Sequence, residues 1–268
     1  SPCILYAALK IQALNPDGVM IIAPSDHWIE NEPQFIDNIE TAFDFCQQND
    51  VLMTLGIQPS SPNTGYGYIQ YENNNTEIKK VKQFTEKPDL ENAKKFIESG
   101  DYLWNAGIFI WSVKSILKAF ESSLPEMYSL FCEANNVYNT EFEDDFIDIN
   151  YANAENISID YGILEKAKNV HVLPVNFNWN DLGTWGSLYN KLPKDSNQNA
   201  SVGGETIFRD SSNNMVRTQN GKRVVIQGLN DYIVVEKEDI LLICPKSDEQ
   251  DIKQISNQVR IDFGEEYV

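Results

Sequence analysis

Carboxylates, a lysine, an amide and close-set glycines fall at or beside the ends of apolar runs in this chain, and their types suit hydroxyls, a phosphate and a hard cation. Asp26, in PSDHWI (residues 24–29), follows the apolar run 19–23 almost directly, and Asp181, in WNDLGTW (residues 179–185), follows the run 170–175. Mg2+ takes oxygen ligands and is commonly held by one or two carboxylates together with substrate phosphates. For an isolated aspartate a turn or N-cap role is the plainer account; two strand-end aspartates far apart in sequence could converge on one ion. FTEKP (residues 84–88) sets Glu86 beside Lys87. In a regular strand they point to opposite faces, and a kink enforced by Pro88 could turn both toward a ligand. Glu86 can accept bonds from hydroxyls, and Lys87 is a point charge suited to phosphate; an exposed strand end with two solvated charges is the simpler alternative.

Gly65 and Gly67 bracket Tyr66 in TGYGYI (residues 64–69), where glycine permits a bulge or close approach of backbone to ligand. A plain hairpin entry explains them nearly as well. In WNAGIFIW (residues 104–111) the tryptophans read as core, and the Asn105 amide offers both a donor and an acceptor. Asp160 could simply cap the helix that follows, with Glu165 and Lys166 on its solvated face.

The elements that must position these groups alternate. Residues 4–14 repeat apolar groups at helical spacing, 19–23 is a continuous apolar run, 35–47 is an amphipathic helix and 51–57 is the next buried strand. That rhythm indicates a parallel α/β sheet. A hairpin is expected over 66–84 around Asn73, Asn74 and Asn75, helices at 90–98, 113–120, 125–135 and 160–168, and strands at 108–111 and 170–175. The polar stretch 194–201 marks the boundary between a domain over 1–195 and a smaller one over 196–268. In the latter, short extended runs alternate with turn clusters, as in a β-helix-like stack or a compact barrel, before a helix at 249–259.

The bulk numbers exclude several classes. With 21 Lys and Arg against 40 Asp and Glu, the formal charge is −19, which repels nucleic-acid backbones. Four scattered cysteines form no C-x-x-C pair, which fits a reducing compartment, and two histidines cannot build a multi-histidine metal site. No apolar run approaches membrane-spanning length.

Taken together, PSDHWI, FTEKP and WNAGIFIW resemble the sugar-1-phosphate nucleotidyltransferases, and SIDYGILEK (residues 158–166) with WNDLGTW points to their mannose-1-phosphate guanylyltransferase branch. The resemblance implies a Rossmann-like domain with a mixed, mainly parallel sheet, a small C-terminal β-helix-like unit, and cytoplasmic guanylyl transfer from GTP to mannose 1-phosphate with Mg2+. It implies Asp26 and Asp181 as metal ligands, Lys87 on the sugar phosphate, and Glu86, Asn105 and the Gly65 backbone on sugar hydroxyls. Asp160 and Lys166 would lie at the sugar-phosphate end, and Pro2 and Ser25 on the nucleotide side. The C-terminal unit would support a homo-oligomer. The opening SPCILYAALK resembles the segment that follows the family's glycine-rich phosphate loop. Without that loop the expectation for these 268 residues alone is weak GTP binding and little turnover. Two alternatives stand beside this one: another sugar 1-phosphate, such as glucose 1-phosphate with a pyrimidine nucleotide, and a non-catalytic regulatory subunit.

Overall fold

An apolar run with no polar face must be covered on both sides. In the computed structural model of this chain, which describes residues 1–133 and 136–267, the runs at 19–23, 51–57 and 170–175 all enter one sheet. The chain begins with α1 (Pro2–Leu14), β1 (Val19–Ile22), the short β2 (Trp28–Ile29), α2 (Glu32–Gln48) and β3 (Leu52–Ile57). The expected hairpin is present as β4 (Tyr68–Tyr71) and β5 (Lys79–Thr85), followed by α3 (Leu90–Ser99) and the long strand β6 (Tyr102–Ser112). Then come α4 (Val113–Ser123), α5 (Pro125–Cys132), α6 (Glu143–Tyr151), a π-helical turn at Asp160–Leu164, and β7 (Val170–Val175). The end of the helix expected over 125–135 falls outside the described residues.

Among the described residues the sheet order is β1-β6-β3-β7-β5-β4. The sheet is mixed, and direction and pairing divide differently. β1, β3, β4 and β7 run one way, but β5 and β6 run the other way between them, so that β3–β7 is the one parallel neighbour pair. Successive side chains alternate across the sheet. Leu52 and Trp111 therefore join Leu5, Leu9, Ile116, Phe120 and Phe131 under α1, α4 and α5. Met53, Leu55 and Ile110 join Ala42 and Cys46 of α2 on the other face. Buried Glu143 ties α6 to α1, accepting from Tyr6 and Lys10 and from the Asn139 N–H at 2.5 Å.

The helix expected over 160–168 is replaced by the single π-helical turn, in which the Glu165 N–H reaches back to the Asp160 carbonyl at 3.0 Å. Gly162 inside it is buried, and a Cβ there would stand 2.9 Å from Cδ1 of Leu124, the residue that follows α4, so the turn packs closely at this point.

By contacts the chain divides into Ser1–Trp179 and Asn180–Val268, with the two-residue β8 (Trp179–Asn180) at the junction. In the second unit α7 (Trp185–Lys191) buries Tyr189 against Ala200 and Met215. The strands β9 (Ala200–Val202), β11 (Met215–Arg217) and β13 (Tyr232–Lys237) stack in parallel with Ala200, Met215 and Ile233 in register. A second pair, β10 (Glu205–Arg209) and β12 (Arg223–Gln227), is parallel as well, and β14 (Ile240–Pro245) closes back antiparallel on β13. Inside the stack, the Asn214 side chain donates to Asn199 Oδ1 at 2.9 Å and accepts the Tyr232 N–H at 3.0 Å. Parallel coils joined by such an asparagine ladder form a β-helix-like stack rather than a barrel. α8 (Ile252–Phe263) follows.

Candidate functional site

Within the first unit, β6 carries a gap along one side. Trp104 pairs with both β3 and β4, and Trp111 with both β3 and β1, so β4 and β1 share the side away from β3. The Asn105 N–H still bonds the Gly67 carbonyl at 2.8 Å and the last residue of β1, Ile22, pairs with Phe109, which leaves a gap in the pairing, a notch, at Ala106–Ile108 between the end of β1 and the start of β4. On the other side Thr54 pairs with Phe109 and Gly56 with Asn105, so Ala106, Gly107 and Ile108 stand opposite Leu55 alone, a bulge in β6. Gly107 has φ 70°, a conformation natural to glycine, and a Cβ there would lie 3.6 Å from His27 Cε1.

Asn105 is built into this bulge. Its Oδ1 accepts from the Gly107 N–H at 3.2 Å and from Thr54 Oγ1 at 2.9 Å, and its Nδ2 donates to Asp160 Oδ1 at 3.2 Å. The acceptor expected to be available for a ligand is thus engaged, leaving one amide N–H. Asp160 is held above the ordinary carboxylate range, at about 6, first by burial and then by the nearby charge of Glu86. Glu86 lies against the backbone of Gly67, where a Cβ would come within 2.4 Å of Glu86 Oε2. The chain leaves the extended conformation at Lys87, with φ 45°, and Lys87 Nζ stands 3.1 Å from Glu86 Oε1. That contact holds the ammonium above its ordinary value.

The structure therefore brings Glu86, Lys87, Asn105 and Asp160 together. It engages the Gly65 N–H with Asn63 Oδ1 at 2.7 Å, and Gly67, not Gly65, is the glycine that makes the close approach. Asp26 and Ser25 occupy an exposed turn just after β1, and Pro2 opens α1. Lys166 is exposed and lines a different cleft, with Ser123, Glu126 and Asn153. In the second unit, Asp181 Oδ1 accepts the Gly183 N–H at 3.0 Å in a loop where Leu182 has φ 50°. Among the described residues no cluster of three or more His, Cys, Asp or Glu side chains could hold a metal ion. Carboxylates such as those of Asp26 and Asp181 are donors that Mg2+ takes alongside phosphate oxygens.

Three residues were not singled out from the sequence. His27 Nδ1 accepts from Trp179 Nε1 at 3.0 Å, so this ring carries its proton on Nε2. Tyr66 stacks edge-on to both Trp104 and Trp179, at 4.9 and 5.3 Å. The signal for the third, Thr54, is a lone hydroxyl in LMTL, an otherwise apolar stretch.

The nucleotidyl transferase family matches residues 1–198, and the mannoseP isomerase/GMP-like β-helix domain matches residues 204–259. A mannose-1-phosphate guanylyltransferase of Escherichia coli is 31% identical over 99% of this chain and 58% of its own length. The alginate biosynthesis protein AlgA of Pseudomonas aeruginosa is 32% identical over 95% of this chain and 53% of its own length. The chain thus spans a little over half the length of these curated relatives. A Thermus thermophilus crystal structure, described as a mannose-1-phosphate geranyltransferase, superimposes with a TM-score of 0.81 at 25% identity over 96% of this chain and 75% of that one. No helix among the described residues is long and apolar enough to cross a membrane. A mixed sheet with its notch at β6, a parallel β stack later in the sequence, and these matches in the same order make the chain a member of the nucleotidyl transferase family, followed by a mannoseP isomerase/GMP-like β-helix domain.

Proposed function

We propose that this chain belongs to an enzyme that transfers a guanylyl group from GTP to mannose 1-phosphate, and that the notch on β6 receives the sugar phosphate. The observation that carries this reading is the set of two carboxylates, one ammonium and one amide N–H gathered at the bulge. Glu86 and Asp160 accept from sugar hydroxyls, Asn105 donates through its remaining N–H, and Lys87 neutralises the phosphate. The Gly65 backbone carbonyl accepts from a sugar hydroxyl, and Pro2 and Ser25 stand on the nucleotide side.

In the reaction a phosphate oxygen of mannose 1-phosphate bonds to the α-phosphorus of GTP, the bond to the β-phosphate oxygen breaks, and pyrophosphate leaves. A phosphate monoester has a second pKa of about 6, so the nucleophile is anionic near neutral pH and no general base is required. The protein's task is then alignment and charge neutralisation. Mg2+, with Asp26 and Asp181 as its protein ligands, would supply further neutralisation when bound. Asp181→Asn is expected to abolish Mg2+-dependent turnover while leaving the melting transition in place; wild-type turnover would remove Asp181 from the set.

The C-terminal unit is the proposed site of self-association, and the cytoplasm the proposed compartment. Pyrophosphate release assayed across nucleotide and sugar-phosphate pairs tests the substrate assignment, and preference for a sugar other than mannose would overturn it. Sedimentation with and without residues 196–268 tests the oligomer, which an unchanged state would refute.

A further inference from the structure

Thr54 is fully buried in a strand whose neighbours are Leu52, Met53 and Leu55. A hydroxyl placed there costs free energy unless it is hydrogen-bonded, and a valine would fill the same space without that cost. Its oxygen lies within reach of three acceptors: Asn105 Oδ1 at 2.9 Å, the Ile108 carbonyl at 3.3 Å and the Leu55 carbonyl at 3.5 Å. It has one hydrogen to give, and the shortest of the three contacts is with the amide of Asn105.

The consequence is orientation. Asn105 Oδ1 faces the Gly107 N–H, which can only donate, and the Thr54 hydroxyl, so turning the amide over would set its NH2 group against the N–H and force the hydroxyl to give its hydrogen to the longer Ile108 or Leu55 contact. With the oxygen fixed on that side, Nδ2 must face Asp160 Oδ1 at 3.2 Å and keep one N–H for the notch. The bulge makes this possible, since it is the widened loop of β6 opposite Leu55 that brings Asn105, Gly107 and Ile108 around a single hydroxyl on β3.

We infer that Thr54 is a positioning residue of the sugar-phosphate site: its buried hydrogen bond helps the Gly107 N–H hold the Asn105 amide with its NH2 end toward Asp160 and the ligand. The part of this inference that concerns the ligand rests on the function proposed above; the part that concerns Asn105 and Asp160 does not.

The test uses Thr54→Val, which keeps the shape and removes the hydroxyl, and Thr54→Ser, which restores it. The ligand-free measurement is the carboxyl titration of Asp160, followed by carbon NMR of protein labelled at the aspartate side chains. In Thr54→Val the amide loses one of its two anchoring donors and the carboxylate its ordered partner. Its midpoint should rise by about half a pH unit, roughly a threefold gain in proton affinity, and in Thr54→Ser it should stay with wild type. In calorimetric titration, the affinity of Thr54→Val for mannose 1-phosphate should fall roughly tenfold, with Thr54→Ser close to wild type.

An Asp160 midpoint that does not move in Thr54→Val overturns the inference, as does one that moves equally in Thr54→Ser. If the midpoint moves as expected but wild type does not bind mannose 1-phosphate, the positioning role stands and the proposed substrate falls. Should Thr54→Val fail to fold, Thr54→Ala removes the same hydroxyl without adding atoms to the core and is read in the same way.

Discussion

The two ends of the first unit's sheet treat charge in opposite ways. Where β1 and β3 begin and β6 finishes, Asp17 is paired with Lys114 at 2.5 Å and Asp50 with Lys118 at 2.6 Å. The Lys118 hydrogen bond holds Asp50 below its ordinary range. A cleft of about 570 Å3 lies there, lined by both pairs with Cys46, Ser112 and Ser115. At the other end, around Asn105, the ammonium of Lys87 serves two carboxylates, and burial with the second charge raises Asp160 to about 6. Charge balance separates these two places: where each acid has its own lysine little is left for a ligand, whereas an unequal set gains from hydroxyl donors or a neutralising partner.

The strongest way to break that contrast is to displace Glu86. In Gly67→Ala the new Cβ would fall 2.4 Å from Glu86 Oε2, a separation real atoms do not adopt, so the carboxylate must swing out of the notch. Losing its charge-assisted bonds to the sugar should weaken mannose 1-phosphate binding roughly a hundredfold, read by calorimetry. Unchanged affinity would show that Glu86 does not meet the ligand.

A smaller effect, of opposite sign in two measurements, is expected from Asp160→Asn. The folded value of about 6 lies above the ordinary 3.8. Between those values the folded state binds more protons than the unfolded one, so stability falls as pH rises through about 4 to 6 and stays lowered above. Removing the ionisable group should therefore stabilise the protein by up to about 3 kcal/mol above pH 6 and by almost nothing near pH 4. The same change should lower sugar-phosphate affinity roughly tenfold. Chemical denaturation at the two pH values reads the first effect, and a pH-independent difference would refute the burial account.

What the sequence disclosed, and what it did not, follows from how far each feature depends on distant pairing. Strands at 19–23, 51–57 and 170–175 are legible because apolar runs without a polar face need cover on both sides. The direction of β6 is not, since an apolar strand reads alike both ways and its antiparallel place between β1 and β3 is set by long-range pairing. Gly65 and Gly67 are equivalent in sequence. The pairing of Tyr68 with Thr85 carries Gly67 to Glu86, while Gly65 meets its local neighbour Asn63. Glu86, Lys87, Asn105 and Asp160 could be named from their motifs, but not the engagement of the Asn105 acceptor, which depends on a bulge and a hydroxyl on another strand. The resemblance sets Lys166 with Asp160, whereas the π-helical turn ends at Leu164 and leaves Lys166 exposed.

The smallest expected effect lies at the balanced end of the sheet, and it makes the contrast exposed to refutation. Asp50→Asn removes one member of an ion pair whose side chains are 73% and 51% exposed, for Lys118 and Asp50 respectively. Such pairs contribute little because water already screens both charges. Asp50 is held below its ordinary value, so its contribution is present above the unfolded pKa and is lost as pH falls through the folded one. The variant should melt slightly below wild type at neutral pH, with the difference vanishing in high salt, and its mannose 1-phosphate affinity should be unchanged. If Asp50→Asn instead weakened binding as much as Asp160→Asn, the paired cleft would be coupled to the ligand, and charge balance would no longer distinguish the two ends of the sheet.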